Sequence, residues 1–159
     1  MSKYIMGIES SCDDTGVAII KDEKELLANV VSSQIDVHAK YGGVMPEIAS
    51  RLHAENITIC IEKALNDANL TFKDLSAVAV TSGPGLIGAL HVGLQAAKTI
   101  SLVHDIPLIS VHHLAGHIYA NNFEGEIKYP CLALIVSGGN SEIVYMEDEL
   151  KFKVIGQTI

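Results

Sequence analysis

Residues 112–117 read "HHLAGH" and hold three of the seven histidines in the chain. His113 and His117 are four apart. That spacing stacks two side chains on one helix face, so both rings can address a single ion. Two imidazoles suit iron or zinc, but a metal site needs a third and usually a fourth ligand. On spacing alone the pair reads either as part of a metal site or as two helix histidines with separate tasks. His112 points elsewhere and reads as a strand-end residue. A zinc-protease reading would need H-E-x-x-H, whose glutamate is the general base, and Leu114 stands in that place. Gly116 is about 1 kcal/mol worse than alanine inside a helix, which predicts a close neighbour at its backbone.

Two polar tips carry further chemistry. "SSCDDTG" (10–16) and "VSGGNS" (136–141) each follow an apolar strand with small hydrogen-bonding residues. Consecutive backbone N–H groups in such turns bind phosphate oxygens without side-chain charge. Asp13 and Asp14 would repel a phosphate, so one of them makes sense as a ligand to a metal's water or as a base. Two ordinary β-turns are the plain alternative. Cys12 has no adjacent histidine to activate it and reads as a small buried residue. Gly83, Gly85 and Gly88 spell G-x-G-x-x-G between a strand and a helix. A dinucleotide site would need an acidic residue about 20 positions on, where the next strand instead runs into His112 and His113. The glycines are expected to permit a tight turn beside the site. In "PEIASRLH" (46–53), Glu47, Arg51 and His53 read as a solvated helix face or a simple surface ion pair.

These residues need elements to hold them. "YIMGIESSCDDTGVAII" is strand, polar turn and strand, and 26–34 is a third strand. A loop over 38–46 stops at Pro46, which suits the first position of a helix with an apolar stripe of Ile48, Leu52, Ile57, Ile61, Ala64 and Leu65. "LSAVAVTS" is a buried strand, "GPGLIGAL" a turn, "HVGLQAAKTISLVHD" a helix, "IPLISV" a strand, and "HHLAGHIYANN" a second helix. This alternation predicts an α/β fold whose sheet has a parallel portion covered by helices. After Pro130 the three-strand opening recurs in "CLALIVSGGNSEIVYME" and "KFKVIGQTI", a duplication of fold rather than of sequence. The expected organisation is a first lobe at 1–129, carrying the histidine pair, and the beginning of a second at 130–159. Three strands with no helix over them are poorly stable alone, so the chain is expected to be cut short.

The composition narrows the function. Nearly half of the 159 residues are hydrophobic, Trp is absent and net charge is −8, with Arg51 the sole arginine. Such a chain does not grip nucleic acid through a basic patch of its own. Three cysteines without a C-x-x-C pair argue against a disulfide framework. Acidic residues interrupt the N-terminal apolar run before a signal-peptide core can form, and no stretch reaches the roughly 18 apolar residues of a membrane span. A cytoplasmic protein without membrane association is expected.

Taken together, "GIESSCDDTGVAI", "GGVMPEIASRLH", "TSGPGLIGAL", "VHHLAGH" and "LIVSGGNSEIVY" resemble, in order and spacing, the TsaD family of tRNA N6-adenosine threonylcarbamoyltransferases, once described as glycoprotein endopeptidases. Ile135 points to the bacterial branch, since archaeal and eukaryotic members usually carry Tyr there. The resemblance implies an actin-like, Hsp70-like (ribonuclease H-like) lobe with a mixed sheet flanked by helices, followed by the first strands of a similar lobe. It implies transfer of threonylcarbamoyl from threonylcarbamoyl-AMP to N6 of the adenosine beside the anticodon, in tRNAs reading codons that start with A. His113 and His117 would ligate iron, with zinc as the alternative, and Asp13 would be the catalytic residue. Ile135, Val136, Ser137, Gly138 and Gly139 would line the adenylate and phosphate. A third metal ligand, an aspartate of the family's later part, has no counterpart here, so the chain alone is expected to be inactive. The implied partners are tRNA held through a complex, a TsaB-like paralogue that contacts the helix at 46–69, and a TsaE-like ATPase. An actin-like small-molecule kinase would share both tips, and a scaffolding paralogue the fold, but neither has a use for H-x-x-x-H.

Overall fold

A computed structural model describes residues 2–136 and 141–158. They fall into two compact units, Met1–His113 and Leu114–Ile159. The lobe boundary expected from sequence lies at 129/130. The units part earlier because Ile118 and Tyr119 pack with Val144 and Met146 further along the chain.

In the first unit, β1 (Tyr4–Glu9), β2 (Asp14–Lys21), β3 (Glu25–Ser33), β4 (Ala77–Gly83) and β5 (Leu108–His112) form one sheet in the order β3-β2-β1-β4-β5. β2 runs antiparallel to both neighbours, while β1, β4 and β5 are parallel. Period-2 alternation sends Met6, Ile8, Val17 and Ile19 inward. Over them lie α2 (Pro46–Ala68) and α3 (Ile87–His104), after a short α1 (Ile35–His38). This is the mixed, helix-flanked sheet that the resemblance implies.

Pro46 does open α2, where its fixed φ suits the first turn, and Asn69 ends it in the left-handed region at φ 54°. The buried face is Ala49, His53, Ile57, Cys60, Ile61, Ala64 and Leu65. It shares Ile57, Ile61, Ala64 and Leu65 with the expected stripe, but Ile48 and Leu52 are only half-buried. His53 takes an inner place because it finds two hydrogen-bond partners there, as set out below.

His112 closes β5 and α4 (His113–Tyr119) begins immediately after it. In the second unit, β6 (Cys131–Val136), β7 (Ser141–Asp148) and β8 (Lys151–Gln157) make an antiparallel sheet in that order. One face of β6 packs into a small cluster with Ile118, Val144 and Met146, while Leu132, Leu134 and Val136 are exposed. Among the described residues no helix is long and apolar enough to cross a membrane.

Candidate functional site

Parallel strands put their C-terminal ends at one edge of a sheet, and in open α/β folds ligands bind there. Ile8 pairs with Val80, so Glu9 and Thr81 come next on neighbouring parallel strands. Thr81 in turn pairs with Val111, just ahead of His112 and His113. Three segments distant in sequence therefore meet at one carboxylate. Glu9 accepts the Ser11 N–H at 2.5 Å and the Thr81 hydroxyl at 2.5 Å, and lies 3.1 Å from His113 Nδ1. The Ser11 hydroxyl is also 3.1 Å from that nitrogen. Burial alone would raise the Glu9 carboxyl, but hydrogen bonds from His113, Ser11 and Thr81 outweigh it and hold it down at about 2.

The first tip is narrower than its sequence suggests, because β2 already begins at Asp14. Ser10 donates to the Ala89 carbonyl and accepts the Gly93 N–H, which ties the tip to α3. Ser11 accepts the Leu86 N–H through its carbonyl at 2.7 Å. Gly85 makes that approach possible, since a Cβ there would lie 2.6 Å from the Ser11 carbonyl oxygen. The expectation of a tight glycine turn beside the site is met.

His53 clamps the tip from the other side. Its Nε2 lies 3.0 Å from the Cys12 carbonyl and its Nδ1 2.7 Å from the Thr15 hydroxyl. A carbonyl only accepts, so Nε2 donates and Nδ1 accepts from Thr15. His53 and Thr15 are both fully buried. The solvated-face reading of residues 46–53 therefore holds only for Glu47 and Arg51, which do pair at 2.5 Å on the exposed side. A signal for His53 was present, because it lies on the same helix row as Ala49, Ile57, Cys60 and Ala64.

Cys12 corrects another expectation. It is exposed, because Ser10, Ser11 and Thr15 take the buried positions of the tip. Partial desolvation, then Asp13, Asp14 and Glu9, push its thiol up to about 11. That is the wrong direction for a nucleophile. At Gly116, where a close neighbour is expected, a Cβ would meet nothing within 4 Å among the described residues.

The family model described as TsaD, tRNA N6-adenosine threonylcarbamoyltransferase, matches residues 25–159. The chain belongs to the TsaD family. Relatives named tRNA N6-adenosine threonylcarbamoyltransferase include those of Bacillus anthracis, 57% identical over 154 residues, and Geobacillus thermodenitrificans, 56% identical over 155. These alignments cover 97% and 98% of this chain but only 45% of each relative, so the chain spans about 45% of the length of the curated relatives it matches. In fold it is similar to YeaZ from Pseudomonas aeruginosa, with a TM-score of 0.62 at 14% identity over 98% of this chain and 66% of that one. The ethanolamine utilization protein EutJ from Carboxydothermus hydrogenoformans gives 0.56 at 14% identity over 98% of this chain and 50% of its own. The fold is the actin-like one.

The residues that the TsaD motifs single out are distributed as follows. α4 carries His113 and His117 one turn apart, the first half-buried and the second exposed. Asp13 is half-buried in the first tip, where its carbonyl accepts the Gln34 N–H at 3.0 Å. Ser11 thus brings that tip to His113. In the second unit, Ile135 packs against the Val144 and Met146 cluster, and Val136 is exposed at the end of β6. Ser137, Gly138 and Gly139 lie outside the described residues. As donors the two imidazoles suit iron or zinc in kind but not in number, and no group of three or more His, Cys, Asp or Glu able to hold a metal occurs among the described residues. Glu9, which sequence reasoning passed over, ends the strand "YIMGIE" as a lone carboxylate on an otherwise apolar run.

Proposed function

We propose that the complete protein transfers a threonylcarbamoyl group from threonylcarbamoyl-AMP to N6 of the adenosine 3′ of the anticodon, in tRNAs reading codons that start with A. The observation that carries this is the family match over residues 25–159. The meeting of the first tip with His113 supports it.

His113 and His117 would hold an iron or zinc ion, with a third ligand from outside the described residues. Once bound, the ion would polarise the carbamoyl group or hold the phosphate. Asp13 would take the proton from the adenine N6 as it attacks, directly or through a water. Ile135 and Val136, with Ser137, Gly138 and Gly139, would line the adenylate and stabilise charge on the departing AMP through backbone N–H groups. With only part of the donor set, the chain by itself would be inactive.

A net charge of −8 and a single arginine leave the basic surface for tRNA to other subunits or other parts of the protein. A TsaB-like paralogue would dock at α2. An apolar groove of about 630 Å³ lies there, between α2 and α3, lined by Ile57, Ile61, Phe72 and Val92 among others. A TsaE-like ATPase and a cytoplasmic setting complete the proposal. Nucleoside mass analysis of tRNA from cells depleted of this gene tests it. Loss of threonylcarbamoyladenosine is expected, and an unchanged level with depletion verified and no second copy of the gene would overturn the assignment.

A further inference from the structure

We propose that His38 and Gln34 are positioning residues for Asp13, joined in a one-way hydrogen-bond relay that fixes the corner of the chain on which the Asp13 carbonyl rests. The ends of the relay set its direction. The Met45 N–H can only donate, and it lies 3.3 Å from His38 Nδ1. Nδ1 therefore carries the lone pair of the ring, and the proton is on Nε2. That nitrogen is 3.0 Å from Gln34 Oε1, which accepts from it. The Gln34 NH2 group then faces the Ala49 carbonyl at 3.4 Å, and a carbonyl can only accept. Tautomer and amide orientation follow with no free choice. Gln34, His38 and Ala49 are all buried, so each broken link strands a polar group away from water.

The relay bears on the tip because of where Gln34 stands. β3 ends at Ser33, and Gln34 is the corner at which the chain turns into α1. Its own N–H donates to the Asp13 carbonyl at 3.0 Å. The preceding carbonyl, that of Cys12, accepts from His53 Nε2, and the following residue, Asp14, pairs with Ser33. Both peptide groups that flank Asp13 are thus anchored, one by α2 and one by Gln34. With its backbone held, the direction in which Asp13 leaves the chain is held too. Met45 is the N-cap residue of α2 and Ala49 lies in its first turns. The relay therefore ties Gln34 to the same helix that carries His53. Only the consequence for catalysis rests on Asp13 being the catalytic residue of the proposed transfer; the relay does not.

A relay that merely stabilised the loop between α1 and α2 would change stability and leave turnover per folded molecule unaltered. Positioning predicts lost turnover. Nitrogen-15 NMR of the imidazole rings at about pH 8, where an ordinary imidazole is neutral, reads the tautomer, with His38 assigned by His38→Leu. Wild type should show the proton on Nε2, and a proton on Nδ1 would overturn the relay. In the complete protein with its partners, transfer from threonylcarbamoyl-AMP to tRNA is followed by nucleoside mass analysis. Displacing a catalytic group by about 1 Å costs up to about 100-fold, so His38→Leu should lower kcat by about 10–100-fold with KM for the adenylate little changed. His38→Gln, whose amide can give an N–H to Gln34 and an oxygen to Met45, should recover most of the loss. Should His38→Leu not fold, Gln34→Met, which keeps the length of the side chain, gives the same readout. Asp13→Asn separates the two readings. If it kept full transfer, the catalytic role of Asp13 would fail while the relay stood. If it abolished transfer and the relay variants kept the wild-type kcat, the positioning role alone would fail.

Discussion

Replacing His53 with alanine probes how firmly α2 holds the first tip. The imidazole is fully buried and joins two groups, the Thr15 hydroxyl and the Cys12 carbonyl. Removing it strands both. A buried polar group left without a partner costs about 1–3 kcal/mol, and truncating a large inner side chain adds a cavity term. Water entering the new space recovers part of the loss, so about 3–5 kcal/mol is expected. That is a large share of the about 5–15 kcal/mol by which a domain is stable. In urea unfolding followed by far-UV circular dichroism, with a slope of about 1–3 kcal/mol per molar, the midpoint should fall by about 2 M at unchanged slope. His53→Gln separates polar from packing effects. Its NH2 group can serve Cys12 and its carbonyl can accept from Thr15, so about half of the loss should return. A midpoint for His53→Ala within about 0.3 M of wild type, or a glutamine variant no better than alanine, would refute the clamp.

Three further outcomes follow from the same edge of the sheet. The folded-state pKa of Glu9 lies at about 2, below its ordinary 4.5. Its stabilising contribution is therefore complete above about 4.5 and is lost as pH falls towards about 2. Acid titration of stability should show this slope in wild type and lack it in Glu9→Gln. Cys12 is exposed, yet its thiol is pushed up to about 11, so at pH 8 only about one molecule in a thousand carries the thiolate. Alkylation by iodoacetamide should be far slower than for a free thiol and should speed up in Asp13→Asn, and equal rates would contradict the charged surroundings described. Gly85→Ala should destabilise by about 1–3 kcal/mol, because its Cβ would sit 2.6 Å from the Ser11 carbonyl oxygen. A thermal midpoint unchanged from wild type would show that the turn does not press on the tip.

Local pattern alone determined much of this protein. Alternation in "YIMGIE" and "GVAII", the proline that opens α2, and the glycine turn before α3 specify the strands and helices through interactions within a few residues. The family was equally legible, because five motifs hold their order and spacing along the chain. Local pattern could not say what those elements bring together. Glu9, Thr81 and His113 meet only because β1, β4 and β5 run parallel and in a register that aligns their ends. That register is set by packing of the whole sheet under α2 and α3. His53 looked like a surface residue until the rotation of α2 turned it towards Thr15, and Cys12 looked buried until its neighbours filled the interior. Element type depends on nearest neighbours in sequence. The partners of a polar side chain depend on strand order and helix rotation, which are properties of the assembled core.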